Sequence, residues 1–385
     1  MMIDNRDFFV GTNTYDKTTL PTGEIKITAS DGAAGYQFGY SVAVENDKIV
    51  VGAYSENGGA YIFDLDGNEL DKITPSDAGG EDGFGPDVAI GSSRIVVGGG
   101  PDGDGGIDSG SAYIFGLNGN ELKKLTARDA APGDQFGSTV AVGSGRIVVG
   151  ARLDDDNGTS SGSVYIFDLD GNQLSKVTAS DGAAGDWFGY SVAVGSGRII
   201  VSARLDDNGV NTDSGSVYIF DLDGNQIDKI TASDGSAGDQ FGWSVAVGSG
   251  RIVVGARKNN DGANGTDSGS VYIFDLDGNQ IDKITASDGA AGDEFGWTVA
   301  VGSGRIVVGA PLDDAFKGSI YIFDLDGNEL DKITASDGAT GDVFGWSISV
   351  GSGRIVVGAY GDSDLAGSAY IYSTPNQDQF LNQLD

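Results

Sequence analysis

The dipeptide Phe-Gly recurs seven times along this chain, at Phe38, Phe84, Phe136, Phe188, Phe241, Phe295 and Phe344, with spacings of 46, 52, 52, 53, 54 and 49 residues. A period of that length constrains the fold strongly, because each unit must bury the same face against the next copy of itself. Three further elements travel with it. RIVVGA or a near variant follows each Phe-Gly; its glycine is Gly52, Gly98, Gly150, Gly255, Gly309 or Gly358, with Ser202 in the fourth copy. YIF begins at Tyr61, Tyr113, Tyr165, Tyr218, Tyr272 and Tyr321 and closes the series as Tyr370-Ile371-Tyr372. A run of the form IDKITASDG follows the first six of these, and residues 213–235 and 267–289 are identical.

Each element reads as a strand. Trp243-Ser244-Val245-Ala246-Val247 alternates large and small, while Val217, Tyr218, Ile219 and Phe220 are apolar on both faces, as strands covered on both sides are. Gly-Ser-Gly and Asp-Leu-Asp-Gly-Asn supply tight turns between them. Four short strands per unit of about 50 residues is the pattern of propeller blades. The expected fold is therefore all-β, a seven-bladed β-propeller of four-stranded antiparallel blades. Alternation places Phe241, Trp243, Val245 and Val247 on one face of the innermost strand and Gly242, Ser244 and Ala246 on the other, so a bulky face nests into the small face of the next blade.

The strand count decides how the ring closes. No IDKIT strand follows Tyr372, and its counterpart stands at the start as Glu24-Ile25-Lys26-Ile27-Thr28-Ala29-Ser30, one residue short of the other copies. The N-terminal strand is expected to complete the last blade. The propeller then occupies residues 23–373, with non-repeat segments at 1–22 and 374–385.

Composition narrows the chemistry. Cysteine and histidine are both absent, which removes disulfides, thiol chemistry and the commonest general base and metal ligand. A net charge of −34 repels nucleic acid and anionic membranes. No run of 18 apolar residues offers a membrane span, and the first residues carry no recognisable secretory signal. With 57 acidic residues, a carboxylate pair carries no information about catalysis, and none stands out in one blade alone.

The paired FG and GA motifs, with the ASDGAAGDxFG linker, resemble bacterial FG-GAP repeats and, more distantly, the propeller head of integrin α subunits. The resemblance covers residues 24–373 and implies a seven-bladed propeller used for adhesion or partner recognition; with no carboxylate constellation in one blade, no enzyme is expected. One feature departs from the integrin-type pattern. Where that pattern has an Asp- and Asn-rich calcium loop between the FG and GA strands, this chain has Gly248-Ser249-Gly250 and its like, with Glu45-Asn46-Asp47 in the first blade. Such turns lack the oxygen ligands calcium requires. No cofactor is expected to be required, with weak calcium binding as the residual possibility.

Several positions invite a functional reading beside a structural one. Asp221-Leu222-Asp223-Gly224-Asn225 looks like part of a calcium loop, but the second blade keeps the turn as Gly116-Leu117-Asn118-Gly119 without the carboxylates, which favours a turn. The residues after Phe-Gly, Tyr40, Tyr190, Trp243, Trp297 and Trp346, with Pro86 and Ser138 in the other blades, suit sugar stacking or blade packing. Lys26, Lys72, Lys124, Lys176, Lys229, Lys283 and Lys332 on the outermost strands read as guards against edge-to-edge pairing.

The loops between RIVVGA and YIF vary in length and content on a constant scaffold, as a binding surface does. The binding-face candidates are Arg152, Asp154, Asp155, Asp156, Arg204, Asp206, Asp207, Asp213, Arg257, Asp261 and Asp267, with Asp102, Asp104, Asp108, Asp362 and Asp364 as weak metal candidates. Arg152, Arg204 and Arg257 form an arc on three consecutive blades; solvated loops without a ligand are the alternative. Arg94, Arg146, Arg198, Arg251, Arg305 and Arg354, with Lys48 in the first blade, follow the Gly-Ser-Gly turns and belong to the opposite face. The expected function is recognition of a protein or glycan partner, extracellular or on a virion surface, with no nucleic acid and no membrane insertion. A structural subunit of a virus particle, docked through its termini, is the second reading; a glycosidase-like propeller enzyme is the third.

Overall fold

A computed structural model describes residues 22–55, 58–77, 83–99, 107–209 and 211–374. The terminal segments of the docked-subunit reading therefore lie almost wholly outside the described residues, as do Asp102 and Asp104. The described chain forms seven four-stranded antiparallel sheets. In the fifth blade the strands run, from the channel outwards, Ser244–Gly248, Arg251–Ala256, Ser270–Phe274 and Gln280–Ile284. Each blade is a meander, so both tight turns lie at one end, while the long loop between the second and third strands and the linker to the next blade lie at the other. We call these the turn face and the loop face.

The N-terminal strand Thr22–Ile27 closes the ring by pairing antiparallel with Ser368–Ser373. Its register places Lys26 opposite Tyr370, as Lys229 stands opposite Tyr218 in the fourth blade. The shorter N-terminal copy thus keeps the register of the others.

The core is a set of seven clusters, each shared by two blades. Between the fourth and fifth blades, Phe241, Val245, Val254, Tyr272 and Phe274 meet Ile200, Val217, Ile219 and Ile230. Phe241 is fully buried, with its ring edge-on to Tyr272 at 5.4 Å and to Phe274 at 6.0 Å. A blade cannot bury both faces alone, which is why the sequence repeats.

The pairing of FG with GA has a direct steric cause. A Cβ at Gly255 would stand 2.1 Å from the carbonyl oxygen of Gly296, the FG glycine of the next blade, and one at Gly358 would stand 1.9 Å from that of Gly39. The FG glycines also hold positive φ, 89° at Gly242 and 90° at Gly296, a conformation that suits glycine. The two glycines let neighbouring blades touch backbone to backbone.

The innermost strand departs from simple alternation. In the first blade Phe38 faces Ala53 but Ser41 faces Gly52, and in the third Phe136 faces Ala151 but Thr139 faces Gly150. Two residues, the FG glycine and the one after it, are looped out of the ladder as a bulge. Phe38 and Val42 keep the core face, while Tyr40 leaves it. The expectation that Trp243 and its counterparts share a face with the valines is therefore corrected: Phe241 and Val245 enter the interblade core, and Trp243 does not belong to that cluster.

Candidate functional site at the mouth of the channel

The residues turned out by the bulge meet one another. On the loop face, ring centroids run Trp187–Tyr190 6.2 Å, Tyr190–Trp243 5.1 Å, Trp243–Trp297 5.2 Å, Trp297–Trp346 4.5 Å and Trp346–Tyr40 5.7 Å. Tyr54 and Tyr360, which follow the GA motifs of the first and seventh blades, join at 5.1 and 5.6 Å from Tyr40. This ladder spans five consecutive blades and stops at Pro86 and Ser138. Its members are all half-buried, so each presents part of a ring to solvent near the channel mouth.

The arginine arc interleaves with the ladder. The Arg204 guanidinium lies 4.3 Å from the Tyr190 ring, 4.6 Å from Trp187 and 4.7 Å from Trp243. Arg257 lies 3.4 Å from Trp243 and 4.6 Å from Trp297, and Arg152 lies 5.6 Å from both Trp187 and Tyr190. These are cation–π distances. The two features read separately in the sequence are thus one cluster. Arg204 is 9% exposed, so this binding-face candidate is buried and not an open surface group. Burial draws its guanidinium below the ordinary range; Tyr190 and Asp213 oppose this, while Arg257 and Arg152 add to it.

The partners of the three arginines differ. Arg257 pairs with Glu294 at 2.5 Å, and Lys258 pairs with the same carboxylate and with Asp267 at 3.1 Å. Arg152 donates from Nε to the neutral Gln135 at 3.0 Å. The Nε atoms of Arg204 and Arg257 are both buried without a hydrogen-bond partner, so what sets Arg204 apart is the lack of an ion pair such as Arg257 makes with Glu294. Trp187, Gln135 and Glu294 occupy one column, the x of GDxFG, and hold φ of 58°, 55° and 54°. Sequence reasoning passed over Trp187, Glu294, Lys258, Tyr54 and Tyr360. The available signal was two columns, after GD and after GA, that vary between constant neighbours.

The acidic candidates divide into buried structural groups and exposed loop groups. Asp154 accepts from Ser163 at 2.9 Å and pairs with Lys176 at 3.0 Å. Asp206 accepts from Ser216 at 2.5 Å and pairs with Lys229 at 2.8 Å. Asp362 accepts from Ser368 and pairs with Lys26, each at 2.5 Å. These carboxylates are buried and already engaged, so they do not belong to an open binding face or metal site. Asp155, Asp156, Asp207 and Asp213 are exposed, as are Asp108 and Asp364; Asp261 and Asp267 are half-buried. Asp156 pairs with Lys176 at 2.7 Å, and Asp207 accepts from the Asp213 N–H at 2.8 Å. Among the described residues no group of three or more acidic side chains is arranged to hold a metal ion.

The outer-strand lysines do more than guard an edge. In every blade the lysine and the YIF tyrosine, or Tyr370 in the last, converge on the aspartate of the incoming linker, which reads SDG in five blades, SDA in the second and RDA in the third. Lys229 and Tyr218 bond Asp181 at 2.7 and 2.8 Å; Lys26 and Tyr370 bond Asp337 at 2.6 and 2.8 Å. The lysine Nζ also lies 5.0–5.4 Å from the tyrosine ring. The protein's own ammonium thus occupies the place beside Asp181 and Asp206 where a cation would otherwise sit.

The turn-face arginines join blades too. Arg146 donates from Nε to the Leu222 carbonyl at 2.9 Å, Arg198 to Leu276 at 3.2 Å and Arg251 to Leu325 at 3.1 Å, each in the next blade's Asp-Leu-Asp-Gly-Asn turn. In that turn Asp221 accepts the Asp223 and Asn225 N–H groups at 2.9 Å, an Asx-type closure that uses the carboxylate as backbone support.

No curated protein matches the chain. Among the described residues no helix is long and apolar enough to cross a membrane. The sequence matches the FG-GAP repeat over residues 22–63, 68–115, 120–167, 172–220, 225–274, 279–323 and 328–372. Each match starts on or just before an outermost strand and ends in the third strand of the next blade, a frame offset by one strand that mirrors the ring closure. With seven such repeats, seven blades and FG glycines seated against GA glycines, the chain belongs to the FG-GAP repeat family, a propeller fold of typically non-enzymatic type.

Proposed function

We propose that this protein is a non-enzymatic recognition propeller that holds a glycan partner against the aromatic ladder at the loop-face mouth of its channel. The observation that supports this most is the run of half-exposed rings from Trp187 to Tyr40 over five blades. Aromatic faces that are neither buried nor scattered mark a place where another apolar face is received, and sugar rings present such faces beside hydroxyls. The variable loops stand over this mouth and are free to shape selectivity. The acidic, cysteine-free composition suits an extracellular or surface setting.

The test is a glycan panel read by tryptophan fluorescence, with Trp297→Ala and Trp346→Ala as the site variants. Binding that both variants weaken at least tenfold, with the urea midpoint retained, supports the site. Binding untouched by either variant moves the site off the ladder. Capture of proteins but of no glycan replaces the ligand class.

A further inference from the structure

One arm of the ladder carries positive charge that no direct ion pair neutralises among the described residues; Asp213 attracts Arg204 only at longer range. Arg204 is the only basic residue buried among the described residues. Among the described residues it has no ion pair, and its Nε has no hydrogen-bond partner. Arg152 beside it bonds only a neutral amide oxygen. The neighbouring cations on the fifth blade are neutralised through Glu294. Two charges thus stand open at the rim of a chain whose net charge is −34, although aspartates are abundant in the loops above. A buried guanidinium with an unpartnered N–H and no ion pair is unfavourable by itself, so the folded protein gains when a carboxylate arrives.

Resting on the glycan reading above, we infer that Arg204, with Arg152, takes the single carboxylate of an acidic sugar residue whose ring stacks on Tyr190 and Trp243. Rings of two blades flank the guanidinium, at 4.3 and 4.7 Å, so its in-plane N–H groups are what it offers a ligand. A carboxylate matches that planar fork. A sugar acid places its carboxylate next to a ring face, as the site places the guanidinium next to indole and phenol faces. The exposed Asp155, Asp207 and Asp213 on the same blades set an upper limit on charge. They repel a second and third negative group, which favours one acidic residue over a polyanion.

The experiment titrates the full-length chain at pH 7 with methyl glucuronide, its neutral methyl ester, methyl glucoside, galactose 6-sulfate and a galacturonate trimer, followed by tryptophan fluorescence. The glucuronide is expected to bind at least tenfold more tightly than the ester or the glucoside. Arg204→Met should lose that margin, and Arg204→Lys should retain only part of it, because lysine keeps the charge without the fork. Urea unfolding of each variant separates lost binding from lost folding.

Equal binding of acid, ester and neutral sugar would overturn the carboxylate assignment while leaving the glycan reading intact. Sulfate binding as tight as glucuronide would overturn the choice of a planar acid. A trimer that binds more tightly than the monomer would overturn the limit to one charge. Failure of every sugar, with binding of a short aspartate-containing peptide or of nothing, would overturn both readings together.

Discussion

Lys26 and Asp337 stand 311 residues apart in the sequence and 2.6 Å apart in space. The same Nζ reaches Asp362 at 2.5 Å, so one side chain of the closing strand ties together a linker and a loop of the last blade. The other six blades make the clamp with residues that are sequence neighbours by comparison, such as Lys229 with Asp181, 48 apart. Lys26→Met should cost about 1–3 kcal/mol, less than a fully buried pair, because its side chain is 31% exposed. It should also speed unfolding in urea more than Lys229→Met does, since Lys26, unlike Lys229, joins the two ends of the ring. Equal unfolding rates for the two variants would show that closure is not the latch.

The interblade core makes a second expectation. Phe241 is fully buried and touches two rings edge-on, so Phe241→Ala should lose about 3–5 kcal/mol. Equilibrium urea denaturation measures this. A loss below about 1 kcal/mol would mean that neighbouring blades close the cavity.

The two sets of arginines should separate stability from binding. Replacing Arg146, Arg198 and Arg251 with serine removes three bonds between blades, each contributing about 0.5–1.5 kcal/mol, and should lower the urea midpoint. Arg204→Met should leave the midpoint unchanged or raise it, because it removes a buried charge that has no ion pair. A fall in midpoint for Arg204→Met as large as that of the turn-face triple would make Arg204 a structural residue.

The dependence of stability on pH should have two limbs. Burial pushes Asp87 up to about 6 against hydrogen bonds from Val140 and Ser41, and pushes Asp186 up to about 6 against one from Ala183. Their folded pKa lies above the unfolded value, so the folded state takes up protons first and stability rises as pH falls from about 7 towards 4. The seven clamp aspartates behave oppositely. In Asp31 the hydrogen bond from Lys72 leads; in most of the others burial opposes the charge, but lysine and tyrosine outweigh it. Their folded pKa is lowered below 3.8, so their stabilisation is complete above that value and is lost as pH falls through it. Melting temperature should therefore peak near about pH 4–5 and fall steeply below. Asp87→Ser, which restores the residue type of Ser41 and Ser191, should flatten the limb between pH 7 and 5; an unchanged slope would assign that limb to other groups.

The sequence by itself determined the number of blades, their strands and the closure of the ring. These follow from local patterns repeated seven times: alternation, turn residues, glycines, and a strand missing at one end and present at the other. It also placed Arg152, Arg204 and Arg257 on one arc and the turn arginines on the opposite face. What it left undecided depended on contacts between units. The two-residue bulge after Phe38 or Phe136 cannot be read from alternation, because alternation assumes an unbroken ladder. That bulge alone moves Tyr40 and Trp243 out of the valine face and into a cluster with the arginines. The clamp of Lys229, Tyr218 and Asp181 was hidden for a related reason. Each of its columns repeats faithfully, yet the partners come from different segments and meet only when one blade's linker folds over the next blade's outer strands. Tertiary structure thus decided which repeated columns are paired within the scaffold, and that Arg204 lies buried among aromatic rings with no ion pair.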